Sequence, residues 1–304
     1  ANQYLLGTCL VISIAGLGGF VAGSPLAWLS GIVGWRNSLL AVAALTFLNG
    51  FLVWTLVRDT PGKMGLPPVE PETEDTITHA PLSLGGKLRL IFRRPDFWLL
   101  ALWFFMNGGV MFSFAGLWAG PYYMQVYGMD RTAAGGAINM FAFGMISGPL
   151  IFAWITGKIK SHRTALASDK AALALLMVWF LMRNGVMGLP EIYAANFLFG
   201  MLCSGAVGVC FTAVKELFPI QIAGSVTGFL YIFPMAGTAL YQPLAGLILD
   251  RSGAVSTGLS AVDFTPLFLL YLASFILAGA AGFGFKKERK RKPADLVKAL
   301  QKRC

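Results

Sequence analysis

Long apolar runs alternate with short polar connections along this chain, and the runs are longer than the core of a water-soluble domain requires. A helix needs about 20 mostly apolar residues to cross a bilayer. Eight segments read this way: Tyr4–Leu29, Asn37–Val57, Phe97–Tyr122, Thr132–Ile155, Ala165–Met182, Glu191–Val214, Ile222–Leu249 and Pro266–Phe285. The fifth is the weakest, because Asp169 and Lys170 lie inside it. The pattern predicts an all-α, polytopic membrane protein of about eight transmembrane helices.

The polar connections carry an orientation signal. Arg58, Lys63, Lys87, Arg89, Arg93, Arg94, Lys158, Lys160, Arg163, Lys215 and the tail "KKERKRKPADLVKALQKR" all fall on one side. The other side has only Arg36, Arg131, Arg183 and Arg251. Basic loops stay in the cytoplasm, so the first side is expected there with both chain ends. The longest connection runs from Arg58 to Pro95. Its first part, "DTPGKMGLPPVEPETEDTITHAP", has the Pro-rich, acidic composition of a mobile linker. In its second part, "SLGGKLRLIFRRP", Leu84, Leu88 and Ile91 share one helical face and Lys87 and Arg94 another. That suits a short amphipathic helix on the membrane surface, and equally a solvated basic loop. The expected division is residues 1–58 with two spans, a linker at 59–95, six spans in 96–285 and a basic tail at 286–304.

Composition agrees and narrows the function. The 304 residues are 56% hydrophobic and 12% charged, against about 25% charged in soluble domains. The net charge of +10 flanks apolar spans rather than forming a basic stripe with aromatics, which argues against a nucleic-acid partner. Anionic lipid is the expected partner of the basic tail. Cys9, Cys203, Cys210 and Cys304 show no CxxC and no histidine at metal spacing, and read as small apolar packing residues. No HExxH, GxSxG or P-loop occurs, so neither an enzyme nor a cofactor or metal site is expected. The chain opens on Ala1 and enters an apolar stretch with no basic n-region, which suggests a trimmed or incomplete chain rather than a signal peptide.

Three stretches then carry a resemblance. "GSPLAWLSGIVGWRNSLL" (Gly23 to Leu40), "GLWAGPYYMQVYGMDRTAAG" and "KELFPIQIAGSVTGFLYIFPMAGTALYQPLAGLILDR" (Lys215 to Arg251) resemble the major facilitator superfamily of secondary transporters, in particular its bacterial sugar-phosphate-permease-like and nitrate-transporter-like members. The resemblance implies two six-helix bundles joined by a cytoplasmic loop, with this chain starting at the family's fifth helix and four helices preceding it. It departs from the family in two places. Ser161 in "GKIKSHR" stands where the family often has an Asp, and Ser24 interrupts a Gly-Pro pair in "GFVAGSPLAW".

Transport needs polar groups facing a cavity, because polar groups facing lipid go unsatisfied. Asn107, Met111, Phe114, Trp118 and Tyr122 recur at helical steps on the seventh helix of that scheme. They make one face with an amide, large aromatics and a phenol, suited to stacking on and hydrogen bonding an organic solute. An interfacial aromatic belt is the alternative for Trp118, Tyr122 and Tyr123. Gly108–Gly109 and Gly120–Pro121 would weaken this helix and let it bend. Asn139 on the eighth helix and Asn196 on the tenth are further solute candidates. Gly136, Gly144 and Gly148, and the Asn196, Gly200, Ser204, Gly208 series, read as close helix packing. The eleventh helix carries Thr227, Tyr231, Pro234, Thr238 and Gln242 at similar steps. Pro234 frees a carbonyl beside Tyr231 and Thr238, open to a solute or satisfied in a packed kink. Ser13, Thr46 and Asn49 are lesser candidates.

Apart from Asp169, every acid lies in a loop or at a helix end. A coupling carboxylate would therefore have to come from the preceding helices. Asp169 and Lys170 are expected as a snorkelling pair near the cytoplasmic surface, with Lys170 also open to an anion. Arg163 and Glu216 are expected as an ion pair on the cytoplasmic gate. The reading is a monomeric secondary transporter of a small organic solute, an anion among the candidates, in a bacterial inner membrane. Its rival is a solute sensor on the same scaffold.

Overall fold

The computed structural model describes residues 2–22, 24–58, 62, 65, 84–158, 162–218, 220–251 and 258–284. Most of the acidic linker and the whole basic tail lie outside them. No strand occurs among the described residues. The helices are α1 (Asn2–Ala22), α2 (Ser24–Val33), α3 (Trp35–Leu56), α4 (Leu84–Phe92), α5 (Pro95–Ser113), a π-helical turn (Phe114–Trp118), α6 (Ala119–Val126), α7 (Arg131–Lys158), α8 (His162–Met182), α9 (Leu189–Gly205), α10 (Val207–Leu217), α11 (Ile220–Leu230), α12 (Ile232–Asp250) and α13 (Ala261–Phe283). Seven stretches among the described residues are long and apolar enough to cross a membrane, from Trp35–Leu56 to Ala261–Gly282. The remaining expected span, Tyr4–Leu29, is divided between α1 and α2. The chain is an all-α integral membrane protein.

Residues 1–20 with 90–304 form one compact unit, and residues 21–89 form another. Within the second, α2 packs on α3. The first is a helical bundle in which α7 pairs with α9, α5 with α12 and α8 with α13, while α13 also lies on α5. On α1, Gly16 lies against Ile146 of α7.

Local chemistry sets the helix ends. Pro95 opens α5, where its missing N–H costs nothing. The Asp130 carboxylate accepts the Ala133 N–H at 2.7 Å at the start of α7. Gly128 and Gly185, with φ of 63° and 81°, make the turns into α7 and α9. The last span begins at Ala261, five residues before the expected Pro266. There the Asp263 carboxylate takes the Ser260 N–H at 2.8 Å and its hydroxyl at 2.6 Å, a stronger start signal than the proline.

Glycines decide how closely the helices approach. A Cβ on Gly144 or Gly148 of α7 would run into the Phe197 or Met201 carbonyl of α9, and one on Gly200 into the Phe141 carbonyl of α7. Gly108 and Gly109 do the same on α5, meeting Pro234 and Tyr241 of α12. These two glycines make a close contact, and the irregular turn of this span lies further on, at Phe114–Trp118. The expected eleventh helix runs as one span over α11 and α12 with a local irregularity at Tyr231, and Pro234 sits buried in the first turn of α12. Cys9, Cys203 and Cys210 are buried and free, as packing residues. Large apolar side chains such as Leu175, Met182 and Leu269 point outward, which suits a lipid surround and would be costly in water.

Candidate functional site

Three polar groupings interrupt this apolar bundle. The first is a seam between the π turn and α12. The Gln242 amide Nε2 donates to the Phe112 carbonyl at 3.1 Å, and the Trp118 indole returns a bond to the Gln242 carbonyl at 3.2 Å. Below them Ser113 Oγ donates to the Tyr241 carbonyl at 3.2 Å and lies 2.8 Å from the Tyr271 hydroxyl. Tyr241 in turn reaches Ser274 Oγ at 2.5 Å. Thr238 donates to the Pro234 carbonyl at 2.8 Å. Single π turns recur at functional sites, and this one sets Trp118 against Gln242 of α12, with Thr238 one turn earlier on that helix, all three half-buried. Exposed Gly116 lies beside the Gln242 amide, so nothing larger than hydrogen covers that edge.

The second grouping is aromatic and buried. Phe114 packs among the rings of Tyr122, Phe180, Phe199, Phe268 and Tyr271, with centroids 5.6 to 6.3 Å away. The Tyr122 hydroxyl donates to Asn184 Oδ1 at 2.8 Å, and Asn184 Nδ2 donates to the Ala261 carbonyl at 2.6 Å. The Asn196 amide donates to the Tyr123 hydroxyl at 2.6 Å. Both tyrosines are fully buried and their hydroxyls find protein partners, so neither ring faces outward as a lipid-facing belt residue would.

The third grouping is charged. Lys170 Nζ lies 2.5 Å from Asn107 Oδ1, 2.8 Å from Asp169 Oδ2 and 4.3 Å from the centre of the Trp103 ring. Asn107 Nδ2 donates to the Cys203 carbonyl at 3.0 Å, tying α8, α5 and α9 together. Asp169 is 2% exposed and Lys170 1%. The expected snorkelling pair is therefore corrected. The lysine stem runs inward past Gly279, whose missing side chain leaves room, to a ring and an amide that receive the ammonium.

In this conformation Asn107 and Tyr122 are thus hydrogen-bonded and Phe114 is packed within the bundle, whereas Trp118 and Thr238 are half-buried, the first bonded to Gln242 and the second to the Pro234 carbonyl of its own helix. Asn139 is half-buried on α7. Tyr231 is 51% exposed and stacks on Phe211 at 5.2 Å. Arg163 is half-buried near the start of α8, and the side chain of Glu216 lies outside the described residues. Sequence reasoning passed over Trp103, Ser113, Asn184, Tyr271 and Ser274. Tyr271 and Ser274, one helical turn apart in an apolar run, were a visible signal; Trp103 was indistinguishable from its aromatic neighbours.

The sequence profile of the Major Facilitator Superfamily matches residues 5–189. The chain is 27% identical over 249 residues to the membrane sensor protein UhpC of Salmonella typhimurium, covering 77% of this chain and 56% of that protein. It is 25% identical over 276 residues to the glycerol-3-phosphate transporter of Bacillus subtilis, covering 86% and 58%. With a probable hexose phosphate transport protein of Chlamydia muridarum it shares 22% over 248 residues, covering 72% and 53%. The chain spans little more than half the length of these relatives.

Proposed function

This chain belongs to the Major Facilitator Superfamily, and from that premise we propose that the protein is a secondary active transporter of a small organic anion carrying a phosphate group. The observation that carries the solute class is the similarity to two proteins named for glycerol 3-phosphate and hexose phosphate transport, one aligned over 86% of this chain. Transport proceeds by alternating access, two bundles rocking about a central site. The cross-ties from α5 to α12, from α7 to α9 and from α8 to α5 support a bundle that moves as one body. Trp118, Thr238, Asn139 and Tyr231 contact the solute, and Asn107, Phe114 and Tyr122 hold the wall behind them. Arg163 and Glu216 pair at the cytoplasmic gate of a monomer in the bacterial inner membrane. The basic tail rests on anionic lipid.

The similarity to a membrane sensor protein favours a second reading, in which the protein binds the solute and signals without moving it. The complete protein in liposomes separates the two when offered radiolabelled glycerol 3-phosphate and a hexose phosphate. Accumulation supports the transporter. Saturable binding without accumulation supports the sensor. Neither binding nor accumulation of either compound removes the solute class.

A further inference from the structure

The charged grouping points beyond the transport reading and does not depend on it. A buried carboxylate that stays ionised ordinarily accepts several hydrogen bonds. Asp169 has one close partner: Lys170 Nζ lies 2.8 Å from Oδ2, and no other donor among the described residues reaches either buried carboxylate oxygen. The lysine is differently placed. Its ammonium is also held by Asn107 at 2.5 Å and by the face of Trp103, with the Phe275 ring at 5.5 Å. One member of the pair therefore depends on its partner and the other does not.

We propose that Asp169 is a proton-binding site inside the helical bundle. A proton adds to one carboxylate oxygen, only the ion contact to Lys170 is lost, and the grouping passes from neutral to singly positive. The cation is not stranded, because Asn107 and Trp103 still receive it. The elements around Asp169 leave few competitors. Lys170 is the one charge acting on it among the described residues, and the thiols of Cys203 on α9 and Cys210 on α10 are the nearby titratable groups. From α5 and α13 come only Asn107, Trp103 and Phe275, which do not titrate.

Infrared difference spectra of the complete purified protein, between about pH 8 and about pH 5, test this in the range where perturbed carboxyl groups titrate. A protonated-carboxyl C=O band should grow on acidification and be missing from Asp169→Asn. In Lys170→Met its midpoint should rise by about one pH unit or more, since the charge holding the carboxylate ionised is gone. If Asp169→Asn does not fold, Asp169→Asn/Lys170→Met, which is neutral, serves as the blank. A band that persists in the blank, no acid-induced band in the native protein, or an unmoved midpoint in Lys170→Met would each overturn the proposal.

Discussion

Replacing Gly200 by alanine probes one of the tightest helix contacts among the described residues. The new Cβ would lie 2.9 Å from the Phe141 carbonyl carbon and 3.1 Å from the Met145 nitrogen, and closer still to the Phe141 oxygen. All three are backbone atoms, so no side chain can swing away. Non-bonded carbons rest at about 3.5–4.0 Å, so α7 and α9 must part by roughly 0.5–1 Å. A gap of that size forfeits a quarter to a half of each dispersion well along the interface, including the seats of Gly144 and Gly148. Overpacking of this kind costs about 1–3 kcal/mol, while alanine returns up to about 1 kcal/mol of helix propensity. The expected net effect is a loss of up to about 2 kcal/mol, and Gly200→Ala should fall below Gly135→Ala by about 1–3 kcal/mol. Gly135→Ala on α7 is the control: its Cβ meets nothing within 4 Å, so only the propensity gain remains. Equilibrium unfolding of the two variants in one detergent should rank Gly135→Ala above the native protein and Gly200→Ala below it. A Gly200→Ala protein at least as stable as Gly135→Ala would refute the close-packing argument.

Tyr122→Phe removes the 2.8 Å donor to Asn184 and should cost about 1–3 kcal/mol in the same unfolding assay; no change would mean that this bond does not hold the turn after α8. Asn107→Ala takes a partner from Lys170 and from the Cys203 carbonyl. It should cost about 1.5–3 kcal/mol, and an unchanged unfolding midpoint would contradict the three-helix tie. Trp118→Phe keeps the ring but loses the indole donor to Gln242. On the proposed transport reading it should weaken glycerol 3-phosphate uptake several-fold through KM, with a stability change of about 1 kcal/mol or less; native kinetics would remove Trp118 from the proposed solute contacts. A double-mutant cycle on Asp169→Asn and Lys170→Met should show that the pair of changes costs less than the sum of the two. Strict additivity would mean that the two charges do not interact.

The apolar rhythm alone determined that this chain crosses a membrane as helices, because about 20 apolar residues must hide their backbone within the segment itself. Small residues four apart likewise marked the α7–α9 contact, since a helix repeats its face at that spacing. The family was legible from three quoted stretches. Which polar side chains face each other was not. Periodicity puts Asn107, Phe114 and Tyr122 on one stripe with Trp118, yet α8, α9 and α13 bury the first three, while Trp118 turns to α12 and stays half open. Asp169 and Lys170 looked close enough to the surface to reach water. Only the packing of α8 against α13, with α5 behind, sends the lysine inward, because Gly279 leaves the passage and Asn107 and Trp103 of α5 wait at its end. A helical pattern states a residue's direction around its own axis; what stands in that direction belongs to the neighbouring helix, and the fold alone supplies it.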